Sequence, residues 1–252
     1  MPAWIAELCL WTFGVALAVV VAHWGFWKLV RPKFDDQQHE AARWGAVRIG
    51  AVHAFILAFV FADARQEYNE LAETIDNEAL AIEQLFRGLD GIEDDSARVV
   101  QSMIARYTQL VIEQEWISQA QGRPLEEADR LVDAIYVAVI ALTDDGKSSG
   151  LARSLLDDVN DIENARGQRS FDISEPVSGL FWLIAVAGFV FTASCYLVFA
   201  PGLLKSSILA MYSAINGLIF FAILSFTSPF SGAVKVGPGA LETVMARTIE
   251  VR

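Results

Sequence analysis

Four long apolar runs, at about residues 3–29, 44–62, 177–200 and 207–226, constrain this chain more than any other feature. A helix needs about 20 apolar residues to cross a bilayer. The chain of 252 residues is 54% hydrophobic, above the roughly 45–50% usual for a soluble domain. The excess is gathered in the runs and not spread as an ordinary core would be. Trp4 and Trp11 lie toward one end of the first run, Trp24 and Trp27 at the other, as aromatic belts are placed at membrane interfaces. This run is about twice as long as the apolar part of a secretory signal and has no basic residue before it, so it reads as a retained anchor.

Charge is distributed just as unevenly. Residues 63–176 carry 25 Asp/Glu and 10 Lys/Arg, a net −15, whereas the rest carries +3 and the whole chain −12. An acidic surface repels nucleic acid and concentrates cations. Cys9 and Cys195 both sit in apolar runs, which leaves no disulfide framework to expect.

The expected fold is an all-α membrane protein: four transmembrane helices with an acidic helical bundle inserted between the second and third. Residues 1–62 hold the first two spans and a basic connector, 63–176 the acidic domain, 177–231 the last two spans, and 232–252 a tail. Neither Gly nor Pro occurs from Ala51 to Arg87, so the second span should run on as one helix into water near Asp63. Beyond it Leu71, Ile75, Ala79, Ile82, Phe86 and Leu89 recur at helical spacing, and Gly88 and Gly91 should end that helix. Ser96 is placed to cap the next one, whose stripe is Val100, Ile104, Tyr107, Val111 and Ile117. A third helix carries Leu125, Ala128, Leu131, Ile135, Val139 and Leu142. A fourth carries Leu151, Leu155, Val159 and Ile162, and should stop near Gly167. Such stripes can be buried only against one another, as an antiparallel bundle. Within the membrane, Gly14, Ala18 and Ala22 form one small-residue stripe, Ser213 and Gly217 another, and Asn216 is placed to hydrogen-bond across helices.

Lys28, Arg31, Lys33, Arg43 and Arg48 in the first connector, with Lys205, favour a cytoplasmic location for loops 28–48 and 201–206. By that count the acidic domain lies outside. Other motifs have plain readings. Gly146-Lys147-Ser148 lacks the earlier glycine of a phosphate loop, because position 141 is Ala, and is a turn. Asp90, Glu93, Asp94 and Asp95 could supply oxygen ligands to Ca²⁺, but they lack EF-hand spacing and suit a helix N-terminus. His23 and His53 could ligate a haem iron. With no second pair and no CxxCH, they read as polar groups facing the bundle interior. No metal and no cofactor is expected. Residues 63–176 contain no His to act as a base, and no nucleophile motif is present, so no catalytic residue is assigned.

Phe55, Phe59 and Asp63 follow one another at four-residue spacing on the second span. Around an axis of several copies, two rings of Phe would make an apolar constriction and Asp63 a charged mouth, both standard pore parts. The alternative is that the rings pack against neighbouring spans or lipid.

Together these features resemble the bestrophin-like domain family of bacterial and plant membrane proteins. The residues that carry the resemblance are Glu78-Ala79, Tyr107, Glu115-Trp116, Arg166 and Arg169 before Pro176, and Pro229-Phe230-Ser231-Gly232 after the fourth span. That family is itself of unknown function, but bestrophins proper form pentameric anion channels, so the resemblance implies a pore lined by Phe55 and Phe59, a pentamer in a bacterial inner membrane, and a cytosolic polar domain. The last point opposes the charge count, and −15 is a poor vestibule for an anion. The expectation is therefore an oligomeric ion channel, with the bilayer, inorganic ions and copies of itself as partners and no nucleic acid. A second expectation is a non-conducting sensor whose acidic bundle binds a protein or Ca²⁺. A membrane enzyme rests on the two histidines alone.

Overall fold

The computed structural model describes residues 3–123, 125–143, 149–172 and 179–249. Gly146, Lys147 and Ser148 lie outside these residues, and so does the turn expected there; Pro176 lies outside them too. Among the described residues every regular element is helical. Four helices are long and apolar enough to cross a membrane: α1 (Trp4–Val30), α2 (Asp36–Asp90), a third helix over Gly179–Val198, and a fourth over Leu203–Phe226. Between α2 and the third of these lie α3 (Asp95–Leu110), α4 (Glu126–Thr143) and α5 (Ser149–Asp172). The last two spans are α6 (Gly179–Cys195, with a 3₁₀ turn at Tyr196–Val198) and α7 (Leu203–Phe226), and α8 (Gly239–Val244) follows.

The chain forms two compact units, one of residues 1–67 with 177–234 and one of 68–176 with 235–252. Helix α2 is unbroken for 55 residues and contributes to both.

In the first unit small residues set the packing. A Cβ at Gly217 on α7 would overlap the carbonyl oxygen of Trp11, which lies in a π-helical turn of α1 (Leu10–Gly14). A Cβ at Gly188 on α6 would overlap the ring of His53 on α2. Gly50 lies opposite Thr192 at 3.3 Å by the same construction. Without a hydrophobic drive between helices in lipid, this close backbone approach supplies the attraction. The face of α1 that is buried holds Ala16 and His23, whereas Ala18 and Ala22 of the expected small-residue stripe are exposed. The reason is His23, whose Nε2 needs a partner and finds the Phe199 carbonyl at 2.9 Å. Asn216 differs from expectation too: its amide donates to Tyr212 O on its own helix, at 2.9 Å. Gly217→Leu should force α7 off the backbone of α1 and cost about 1–3 kcal/mol. The check is thermal unfolding in detergent, with Gly179→Ala, whose Cβ meets nothing within 4 Å, as the unaffected control.

The second unit is a helical bundle with its own core. Ile82, Leu85, Ile104, Val111, Ala128, Val139, Val159 and Leu241 are all fully buried in it. Three local expectations are corrected here. Helix α2 passes Gly88, because the bare glycine lets Leu155 approach to 2.8 Å of where a Cβ would stand, and ends at Asp90 just before Gly91, where the second expected glycine does stop it. The cap of α3 is Asp94, whose carboxylate accepts from Ser96 N at 2.8 Å. Helix α5 runs through Gly167 to Asp172. One interior glycine costs about 1 kcal/mol, and the side chains on either side of Gly167 more than offset it. The residues after 232 are not a bare tail: Leu241 and Val244 of α8 are buried in this core.

Candidate functional site

Arg166 and Arg169 are three apart on α5 and therefore share a face. They point into the second unit, where Arg169 is 0% and Arg166 5% exposed. Glu115 ends a π-helical turn (Val111–Glu115) that continues α3, and Gln119 lies one turn further on. Extra residues inserted in this way often mark functional positions; here the turn aims Glu115 inward, and it is fully buried. Glu78 comes from α2 and Tyr107 from α3.

These side chains close into one network. Arg169 donates to Glu78 Oε1 at 3.0 Å, Glu115 Oε2 at 3.1 Å and Gln119 Oε1 at 3.0 Å. Arg166 donates to Glu115 Oε1 at 2.7 Å and Leu125 O at 3.1 Å, and pairs with Asp129 at the rim. The Tyr107 hydroxyl donates to Glu78 Oε1 at 2.6 Å. The Trp116 ring lies 5.2 Å from the Arg169 guanidinium, and its indole N–H donates to Val236 O at 3.2 Å. Two arginines thus face two fully buried carboxylates, and charge cancels where an unpaired ion would cost several kcal/mol.

Burial pushes the Glu78 carboxyl up, and Arg169 and the Tyr107 hydrogen bond pull it partly back. Burial alone would lower Arg169, but Glu78 and Glu115 outweigh it and hold the guanidinium above its ordinary range. Burial and Glu78 push the Tyr107 phenol well up, so it remains a donor. Each charged side chain in the cluster is engaged by another, while Glu78 Oε2, Gln119 Nε2, Arg166 Nε and Arg169 Nε are buried without a hydrogen-bond partner among the described residues. The chemistry of the cluster is that of a clamp joining α2, α3 and α5.

Sequence reasoning missed Gln119 and Asp129 as members. Gln119 could have been found as the polar residue four positions after Glu115. Asp158 on α5 was also missed. It is buried, and burial, with Asp161 and Asp157 beside it, pushes its carboxyl up to about 6. The folded state thus holds this proton more tightly than the unfolded chain. The stability it contributes is full below pH ~4 and is lost as pH rises through about 6. Asp158→Asn should raise stability at pH 7.5 by on the order of 1–2 kcal/mol and leave it unchanged at pH 4, as measured by denaturation at the two pH values.

The other residues singled out earlier fall elsewhere. On α2, His53, Leu57, Val60 and Ala64 are buried within the first unit. Phe55 and Phe59 stand on another face, 65% and 61% exposed, with their rings edge to face at 4.7 Å, and Asp63 beyond them is exposed. His23 and His53 do not form a pair; each bonds a backbone carbonyl, His53 that of Ala185 at 2.9 Å. In the acidic turn, Asp94 caps α3, Asp90 accepts from Gln101 at 2.7 Å and Asp95 pairs with Arg98. Among the described residues no group of three or more His, Cys, Asp or Glu gathers to hold a metal. After α7, Gly232 N donates to Ser228 O at 2.6 Å, and a Cβ there would stand 2.7 Å from the carbonyl oxygens of Ser225 and Ser228. Pro229 and Gly232 thus make the tight exit, and Phe230 is buried beside it.

Residues 13–241 match the family model of the Bestrophin-like domain. A comparison with curated proteins finds no match. Among solved structures, a bacterial bestrophin homologue from Klebsiella pneumoniae is 14% identical with a TM-score of 0.70, over 97% of this chain and 96% of that one. A mutant of a bacterial bestrophin homologue from Klebsiella pneumoniae is 15% identical with a TM-score of 0.69, covering 98% of each chain. A structure described as a membrane protein is 14% identical with a TM-score of 0.70, covering 99% of this chain and 98% of its own. At such identities the likeness speaks for the fold alone.

Proposed function

The chain belongs to the bestrophin-like family, and from that membership we propose that copies of it assemble into an ion channel of a bacterial inner membrane, with the second span lining the pore. The observation that carries this reading is the two-faced character of α2. One face is buried by its own chain, while Phe55, Phe59 and Asp63 have no cover within it. A ring of copies turning that face inward would give an apolar constriction with a charged mouth. The buried clamp would hold the stretch of α2 that carries Glu78 against α3 and α5. Pentameric assembly is what the family resemblance implies. Anion selectivity is implied as well, but an Asp63 ring and a net −15 over residues 63–176 favour cations, and the proposal is for cations.

The test is reconstitution in planar bilayers under a KCl gradient. The expected result is a current whose reversal potential lies on the cation side and moves toward zero in Asp63→Asn. No current under any ion gradient, with Phe55→Ala and Phe59→Ala equally silent, would contradict it.

A further inference from the structure

Within the first unit, α1 and the loop before α7 enclose an open groove of about 600 Å³ lined by Val20, Val21, Trp24, Gly25, Trp27, Lys28 and Pro201. That volume is in the range of ligand pockets. Gly25 is part of the lining, and a Cβ there would meet nothing within 4 Å. Its walls are fixed. The Trp24 indole N–H donates to Ser206 Oγ at 3.1 Å and that of Trp27 to Leu197 O at 3.0 Å. The lining is apolar apart from Lys28 at one end. Arg31 and Lys33 follow Lys28 in the connector, and Lys205 lies over the Phe199 ring at 5.7 Å in the loop that supplies Pro201. No acidic side chain among the described residues pairs with any of these four cations.

We propose that this groove is a binding site for an anionic phospholipid of the leaflet that the connector faces, with an acyl chain along Val21, Trp24 and Gly25 and the phosphate at Lys28. Three features select that occupant. The groove lies at the end of a membrane span, where paired tryptophans mark the interface. It is apolar along its length and cationic at one end, the polarity of a phospholipid. Lys28, the one cation in the lining, is left without an acidic partner among the described residues, and a basic residue at an anionic leaflet contributes about 1 kcal/mol. A neutral lipid would gain the apolar contact without the ion pair. The site concerns the first unit alone and does not depend on whether the protein conducts.

Native mass spectrometry of the full chain released from detergent, with phosphatidylglycerol or phosphatidylcholine added, tests the proposal. The expected result is one phosphatidylglycerol retained per chain, about fivefold above phosphatidylcholine, the ratio that about 1 kcal/mol from one lysine gives. Lys28→Gln should reduce the ratio to near one, while Arg43→Gln, on α2 and outside the groove, should leave it unchanged. Gly25→Leu should release both lipids by filling the groove, and Val21→Trp, also in the lining, should do so if the first variant does not fold. Equal retention of the two lipids by the unaltered protein would overturn the proposal, as would retention unchanged in the filled variants. So would a change in oligomer size on filling the groove in lipid-free detergent, which would make the groove a contact between copies.

Discussion

Arg169→Met should lower the stability of the second unit by about 3–5 kcal/mol, the cost of leaving a buried charge without its partner. The guanidinium is fully buried and serves Glu78, Glu115 and Gln119 together. Met fills similar space but leaves two carboxylates facing each other with only Arg166 and Tyr107 to stabilise them. Against a total stability of about 5–15 kcal/mol, such a loss is large enough to prevent purification of a folded protein at 37 °C. Denaturant unfolding followed by circular dichroism would measure it. Glu78→Gln should cost less, since burial already pushes this carboxyl toward its neutral form and an amide still accepts from Tyr107. An Arg169→Met protein as stable as the parent would show that the cluster is not a clamp.

The second large effect concerns conduction. Phe55 and Phe59 form an edge-to-face pair at 4.7 Å and are uncovered within the chain. If they ring a pore, replacing both with Ala removes an apolar constriction that gates by excluding water. Each 1.4 kcal/mol taken off the barrier raises the rate about tenfold, and the double variant should exceed that gain in single-channel conductance. Replacement of exposed Phe191 on α6 should leave conductance unaltered. Lipid-facing rings at 55 and 59 would make the two replacements equally silent.

Much of the helical architecture could be read from local pattern. Runs of apolar residues longer than about 18 announce membrane helices, and the spacing of Ile82, Ile104, Ile135 and Ile162 announced bundle faces whose residues are buried in the structure. What local pattern could not supply was the partner of each polar residue. Glu78 and Arg169 are 91 positions apart, and nothing in their immediate neighbourhoods states that they meet. The expected stop at Gly167 failed for the same reason: the long-range pairs of Arg166 and Arg169 outweigh a local glycine. Ser96 lost the cap to Asp94 because both suit that position, and only the backbone entering α3 separates them. The small-residue stripe of α1 misled because Ala18 and Ala22 do not reveal that His23, on another face, requires a buried acceptor. The π-helical turn that aims Glu115 inward has no sequence signal of its own. For the candidate pore, spacing put Phe55, Phe59 and Asp63 on one face, but what covers that face lies in other copies of the chain, which no single sequence describes.

The central claim, that this aromatic face surrounds a shared axis, is tested most directly by imaging single particles of the protein in lipid nanodiscs. The account predicts a closed ring of copies with Phe55, Phe59 and Asp63 of every copy around a central opening. A monomeric particle, or a ring in which the three side chains face lipid, would contradict it.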